Sequence, residues 1–285
     1  MKKGLLLYSD IDYKKNIEFA KRFLDKCENF GLKIDLALES DIKYGICENN
    51  FYCEIGNLNI KNNYNFAINR TRNALLALTL ENIGVRVLNS SKITAICNDK
   101  NTAYIKAAKN GVPCLNTFFY DKDNIDINKI NFPVVLKQPF GHGGNNVYLC
   151  KDKKQFINAI NIINGRFVTV QQKLNTEEVS DIRVFIMGNN PIYAVKRTSV
   201  SSFKANYCQG GKIALYDIDT RLKCYIKKLF NIGYFDYAGF DFLYDGKDYF
   251  FNEIEDAVGS RSLCILKNID TCELYLEYIN KILNA

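Results

Sequence analysis

The chain has 285 residues, of which 47% are hydrophobic and 13% aromatic. A chain of this length can bury a substantial core, and this composition excludes a disordered protein. The formal net charge of +7 suits either nucleic acid or a phosphate-handling cleft. The lysines are spread along the chain without a dense basic block, which argues against nucleic-acid binding.

Targeting and redox signals are weak. The start of the chain has only a three-leucine apolar core, and no apolar run approaches a membrane span, so we expect neither a signal peptide nor a membrane partner. Ten cysteines form no Cys-x-x-Cys pair, and the sole histidine is His142, which argues against zinc. The cysteines are interpreted as small buried hydrophobes, and the predicted location is the reducing cytoplasm.

The N-terminal region predicts a β-α-β unit with a parallel sheet. The predicted elements are strands over 4–8, 33–38 and 64–70 and helices over 12–30 and 74–83, which end at Gly31 and Gly84.

The segment Asn69-Arg70-Thr71-Arg72 lies where the third predicted strand ends and the second helix begins. Backbone N–H groups at such a junction favour an anion, so this is one candidate binding site. The alternative is a helix cap with two exposed arginines. Residues 1–90 are assigned to this N-terminal α/β domain.

A helix is predicted over 93–111, closed by Val112-Pro113, and an apolar run over 132–137 ends in Lys137. The glycine-rich stretch 141–147 follows, before a second apolar run over 147–150. Glycines let the backbone approach phosphate oxygens closely, and a neighbouring lysine supplies positive charge. The pattern is neither a Walker loop nor a dinucleotide fingerprint, and a plain turn is the alternative.

Downstream, a strand over 167–174 turns polar at its end, Asp181-Ile182-Arg183 opens another strand, and helices are predicted over 220–230 and 272–283. Asp241 closes a strand over 237–244, and Asp245-Gly246 predicts a hairpin to the strand over 249–255.

Three carboxylates belong to this predicted hairpin. Side chains alternate along a strand, so we expect Glu253 and Glu255 on one face and Phe251 and Ile254 on the other. With Asp241 they would form an oxygen cluster, which suits Mg²⁺ or Mn²⁺ better than zinc. The alternative is a solvated strand face.

The order and spacing of these motifs resemble the ATP-grasp ligases, most closely the RimK-type branch of glutamate and amino-acid ligases, over about the whole chain. The resemblance implies an α/β protein with an ATP-grasp fold. Behind the N-terminal parallel-sheet domain of residues 1–90, it implies a small lobe over 91–170 with a glycine-rich flap and a catalytic lobe over 171–285.

The resemblance also implies roles for individual residues. Arg183, Arg197 and Asn206 are candidates for holding an acyl phosphate or a substrate carboxylate, because guanidinium groups pair with planar oxyanions bidentately. The remaining positions are Lys100, Lys137, Gly141, His142, Gly143 and Gly144 for the phosphates, Gln172, Lys173 and Leu174 for the adenine, Asp181 near the ribose, Lys204 for nucleotide and acceptor, and Asp241, Glu253 and Glu255 for the metal.

Some positions depart from the family pattern. Glu255 stands where asparagine is usual, which adds a negative charge beside the triphosphate. Gln172-Lys173 replaces a glutamate followed by an aliphatic or aromatic residue, and Asn146 replaces the last glycine of the loop. Lys204 stands where arginine is usual, which keeps the charge but loses bidentate geometry.

The implied function is ATP-dependent ligation of a carboxylate to an amine through an acyl phosphate, with ATP and Mg²⁺ (or Mn²⁺). Amino acids or peptides are the expected substrates, and homo-oligomers are frequent among relatives. Two alternatives stay open. One is an ATP-binding regulatory module without turnover, and the other is a metal-dependent phosphotransferase.

Overall fold

The computed structural model describes residues 1–144, 146–176, 179–199, 212–267 and 269–285. A parallel sheet in the order β2-β1-β6-β7 forms the N-terminal part, as the sequence predicts. Strand β1 is an almost continuous buried apolar run, which is typical of a parallel strand covered on both faces. The elements of this part are β1 (Lys2–Tyr8), α1 (Asp10–Lys26), β2 (Leu32–Leu38), β3 (Ile42–Cys47), β4 (Asn50–Ile55), β5 (Leu58–Asn59), α2 (Ile60–Asn63), β6 (Phe66–Arg70), α3 (Ala74–Asn82) and β7 (Arg86–Leu88).

Helix α1 begins with a side-chain cap, since the Ser9 side chain accepts a hydrogen bond from the backbone N–H of Asp12. It buries Phe19, Ala20 and Phe23 at helical spacing against the sheet. The separate antiparallel sheet of β3, β4 and β5 has no counterpart in the sequence prediction.

The predicted single helix over 93–111 is wrong in one respect, because two helices occupy it: α4 (Ser91–Cys97) and α5 (Lys100–Lys109). Asp99 breaks the run by capping the second helix, accepting hydrogen bonds from the backbone N–H of Asn101 at 3.0 Å and from Thr102 Oγ1 at 2.6 Å. The break places Lys100 at a helix start, where its N–H donates to the carbonyl of Pro139 at 3.0 Å.

A four-stranded antiparallel sheet in the order β10-β9-β11-β8 forms a small lobe over its own apolar core. The predicted strand, glycine loop, strand order is confirmed, because β9 and β10 pair with Lys137 opposite Val147. The elements are β8 (Thr117–Asp121), β9 (Val134–Lys137), β10 (Val147–Cys150), α6 (Lys153–Ile162) and β11 (Phe167–Gln172).

The C-terminal part contains an antiparallel sheet in the order β14-β13-β12-β15-β16. On β12, Ile182 and Val184 face a core shared with α4, α5 and α7, while Phe185 faces a core shared with the N-terminal sheet and α9. The elements are β12 (Val179–Met187), β13 (Asn190–Ser199), β14 (Lys212–Leu215), α7 (Thr220–Leu229), β15 (Tyr237–Tyr244), β16 (Tyr249–Glu255), α8 (Arg261–Lys267) and α9 (Thr271–Asn284).

The apolar core of the five-stranded sheet includes residues from outside the predicted catalytic lobe. Residues 91–112, predicted to belong to the small lobe, contribute Ile93, Ile96 and Tyr104 to the core of the five-stranded sheet. The division near residues 90 and 170 stays a prediction. Among the described residues no helix is long and apolar enough to span a membrane.

Candidate active site

The β15–β16 hairpin brings three carboxylates together. Asp241 lies opposite Glu253, and Gly239 lies opposite Glu255. Ligand oxygens of Asp241, Glu253 and Glu255 all lie within 4.8 Å of one another. Three hard oxygen donors at this separation fit a Mg²⁺ or Mn²⁺ ion.

A β-bulge sets the orientation of these carboxylates. Strict alternation would put Phe251 on the same face as the two glutamates, so the sequence expectation needs an irregularity. The pairing shifts between Asp241 and Phe242, which leaves Asn252 as an extra residue on β16. Phe251 and Ile254 are therefore both buried in the core, as predicted, while Glu253 and Glu255 turn toward Asp241.

Two buried arginines surround Asp241. Nε and Nη2 of Arg183 donate to its two oxygens at 2.7 and 2.6 Å, and Arg197 Nη2 adds a bond of 2.8 Å. Arg197 also forms a bidentate pair with Asp181, at 2.5 and 2.7 Å. Burial alone would raise the pKa of Asp241, but the two guanidinium groups outweigh it and lower the pKa to about 2.

The two glutamates have different surroundings. Glu255 Oε2 lies 2.8 Å from Arg183 Nη1, so a guanidinium offsets the negative charge of Glu255. Glu253 has no hydrogen bond or ion pair with any side chain that the structure describes. Burial raises the pKa of Glu253, and the charges of Glu255 and Asp241 raise it further. A carboxylate in this position favours a bound cation.

Two buried lysines complete the charged cluster. Lys137 Nζ donates to Tyr104 Oη at 2.8 Å and to Asn252 Oδ1 at 3.0 Å, and burial lowers the pKa of Lys137 to about 8 against the opposing charge of Glu253. Lys100 donates from Nζ to the carbonyl of Gly141, and burial lowers its pKa too. Both ammonium groups interact electrostatically with Glu253, so they lie near the carboxylates.

The glycine loop joins β9 to β10 beside Lys100. Gly141, Gly143 and Gly144 have φ values of 137, 67 and 74°, a region that L side chains rarely adopt. His142 Nε2 lies 3.8 Å from Asp12 Oδ2, so the loop touches the first turn of α1. Asp12 also pairs with Arg72, the last residue of the predicted anion segment.

The surroundings of the other predicted residues do not by themselves indicate a role in binding. Gln172 is exposed, with its side chain accepting from Asn116 Nδ2 at 3.1 Å, and Lys173 Nζ donates to the carbonyl of Leu174 at 3.1 Å. Asp181 is 4% exposed and paired with Arg197, so it lies inside the ion-pair network. Lys204 and Asn206 lie outside the described residues.

Sequence reasoning missed Tyr104, Asn252 and Asp12 as parts of this site. Tyr104 and Asn252 are hydrogen-bond partners of Lys137, and a tyrosine within a helix or an asparagine within a strand gives no distinct signal. For residues 69–72, the alternative of two exposed arginines is wrong for Arg70, because its side chain is buried, and the anion site stays a prediction.

The fold is that of the ATP-grasp proteins. D-alanine–D-alanine ligase from Bacillus anthracis, solved in complex with ATP, superposes with a TM-score of 0.73 at 14% identity, covering 100% of this chain and 97% of that one. The model of the RimK-like ATP-grasp domain matches residues 97–279, and the chain belongs to this family.

Two relatives are similar over most of their length. The uncharacterized protein MG011 of Mycoplasma genitalium is 28% identical over 267 residues, which span 92% of this chain and 86% of that protein. The glutamate–LysW ligase ArgX of Sulfolobus acidocaldarius is 26% identical over 211 residues, which span 70% of this chain and 74% of that enzyme. The relatives of this chain thus include a glutamate ligase.

Proposed function

We propose that this protein is an ATP-dependent ligase that joins a carboxylate to an amine. The observation that supports this most directly is Glu253, a carboxylate without a described side-chain hydrogen bond, which is clustered with two other carboxylates and interacts electrostatically with two buried lysines. A site with both charge signs at close range suits a cation bound together with a polyphosphate.

In the proposed reaction, an oxygen of the substrate carboxylate attacks the γ-phosphorus of ATP, and ADP leaves. The amine nitrogen then attacks the carbonyl carbon of the acyl phosphate. Inorganic phosphate leaves with the electrons of its C–O bond, the nitrogen loses a proton, and an amide results. Such transfer needs positioning and charge neutralisation more than a protein nucleophile.

The chain's residues divide this work by charge. Lys100 and Lys137 would bind phosphate oxygens, and the backbone of the loop from Gly141 to Gly144 would cover them. Asp241, Glu253 and Glu255 would hold Mg²⁺ or Mn²⁺, which neutralises phosphate charge when bound.

The sequence resemblance implies that Arg183 and Arg197 hold the acyl phosphate or a substrate carboxylate. Because both guanidinium groups are buried against carboxylates, we propose instead that they position Asp241 and Glu255. Lys204 and Asn206 remain candidates for the acceptor side. Amino acids and peptides are the proposed substrates, since the similar ArgX enzyme is a glutamate ligase.

The test is ADP release from Mg²⁺ and ATP, with amino acids and short peptides supplied singly and in pairs. Release that requires one acid and one amine together, with an amide as product, supports ligation. Glu253→Gln and Lys137→Ala are each expected to lower turnover by about 100-fold. Lys129→Ala, with a side chain 82% exposed, is the control.

The other outcomes separate the alternatives. ATP binding by calorimetry without turnover on any pair would favour the regulatory module. A phosphorylated product without an amide would favour a phosphotransferase.

A further inference from the structure

Arg70 is a buried arginine without an acidic partner among the described residues. Its side chain is 4% exposed, and its guanidinium lies over the rings of Tyr8, at 5.5 Å, and Phe19, at 4.7 Å. Leaving a charge in such surroundings is unfavourable unless other groups compensate it. The groups that do so are backbone carbonyls of a single short segment.

That segment is Asp256–Val258, here called the exit segment, which leaves β16 directly after Glu255. Arg70 Nη2 donates to the carbonyls of Ala257 and Val258, both at 3.2 Å. The exit segment has left the sheet, so side chains of the N-terminal part replace ladder partners for its carbonyls.

Two asparagines hold the first residue of the exit segment. Asn89 Nδ2 donates to the carbonyl of Asp256 at 3.3 Å and to that of Tyr237 at 2.7 Å, so it ties the end of β16 to the start of β15. Asn98 Nδ2 donates to Asp256 Oδ1 at 3.1 Å. The side chains of Arg70 and Asn89 together therefore bind all three backbone carbonyls of the exit segment.

The exit segment in turn packs against Gly239, the residue opposite Glu255 in the sheet. A Cβ added to Gly239 would lie only 2.7 Å from Val258 Cγ2, so Val258 packs closely against this glycine. The same Cβ would lie 3.6 Å from Arg183 Cδ. Gly239 is the register partner of Glu255, the last residue of β16. Strand ends fray unless their neighbours are held, and the exit segment is the chain neighbour of Glu255.

We propose that Arg70, with Asn89, is a positioning residue that presents Glu255 to the metal. The inference rests on the proposed function, because it presumes that the three carboxylates bind a divalent cation. The proposal gives the N-terminal sheet a role in metal binding, in addition to any contact that it makes with substrate.

The test measures Mn²⁺ binding by the electron paramagnetic resonance signal of free Mn²⁺, titrated with the full chain and a non-hydrolysable ATP analogue and compared with the analogue alone. Arg70→Met keeps the packing volume but removes the donors, and it is expected to weaken Mn²⁺ binding by about tenfold or more. Arg70→Lys is expected to fall between Arg70→Met and wild type. Arg86→Met is the matched control, because Arg86 also donates to one carbonyl, that of Ile282 at 3.0 Å, but is exposed.

A kinetic readout distinguishes positioning from a general loss of structure. In Arg70→Met, the Mg²⁺ concentration for half-maximal turnover is expected to rise, while kcat at saturating Mg²⁺ stays near the wild-type value. A folded Arg70→Met that binds Mn²⁺ as tightly as wild type would overturn the proposal.

If Arg70→Met does not fold, Gly239→Ala provides the test, because the added methyl group displaces Val258 while Arg70 stays in place. Unchanged Mn²⁺ affinity in Gly239→Ala would overturn the proposal, and weakened affinity would support it. Wild-type protein that binds no Mn²⁺ would instead contradict the metal site of the proposed function, and the positioning role with it.

Discussion

Arg183 Nη1 lies 2.8 Å from Glu255 Oε2, while Nε and Nη2 of the same guanidinium hold Asp241. One arginine therefore bridges two of the three clustered carboxylates and offsets part of their negative charge.

Glu255→Asn is expected to fold and to retain turnover, because asparagine still offers a ligand oxygen. Since the variant lacks one negative charge at the cluster, we expect the Mg²⁺ concentration for half-maximal activity to rise about threefold to tenfold. A Mg²⁺ titration of the ADP-release rate measures this. Glu255→Ala, which offers no oxygen, should be much the weaker enzyme; equal rates for the two variants would contradict a ligand role.

Arg197→Met is expected to destabilise the fold by about 3 to 5 kcal/mol, because it leaves the buried Asp181 and Asp241 without a shared partner. Urea unfolding followed by circular dichroism measures the change. The control is Arg166→Met, which breaks the surface pair with Asp121 and should cost less than about 1 kcal/mol. Similar losses in both variants would show that the network contributes little.

ATP affinity is expected to fall as the pH rises above about 8, where Lys137 loses its proton in the free protein. The sign follows from the pKa, which burial lowers from its ordinary value of about 10.4, since phosphates bind the protonated form and binding takes up a proton. Calorimetry at pH 7 and pH 9 in buffers of different ionisation enthalpy detects both effects. Lys137→Arg should lose the pH step, and a step that persists there would assign it to another group.

Asp236→Asn is expected to stabilise the protein at pH 7 and above. Burial raises the pKa of Asp236 to about 6, although Tyr278 Oη donates to it at 2.8 Å. The folded state therefore binds a proton more tightly than the unfolded chain, and the stability that comes from this is lost as the pH rises through 6.

The neutral amide avoids that loss, so the free energy of unfolding should rise on the order of 1 to 3 kcal/mol at pH 7, with no gain below about pH 4. Urea unfolding at both pH values is the measurement, with the exposed Asp123→Asn as control. A gain of equal size at both pH values would refute the explanation.

The sequence predicted most of the elements that carry the site. Local patterns were sufficient for the parallel β-α-β start, the glycine hairpin after Lys137 and the antiparallel pair that ends in Glu255, because each depends on neighbours within a few residues. The break at Asp99 was missed because an aspartate that caps a second helix can look like part of one long helix.

The sequence by itself determined the family and which residue types could bind phosphate and metal, since motif order and spacing are properties of the chain. Tertiary structure alone decided that Arg183 joins Asp241 to Glu255 and that Arg70 is buried against carbonyls almost 190 residues away, at sequence separations of 187 and 188. Such pairings depend on how separate sheets pack and on which charges lose their water, and no local pattern encodes either.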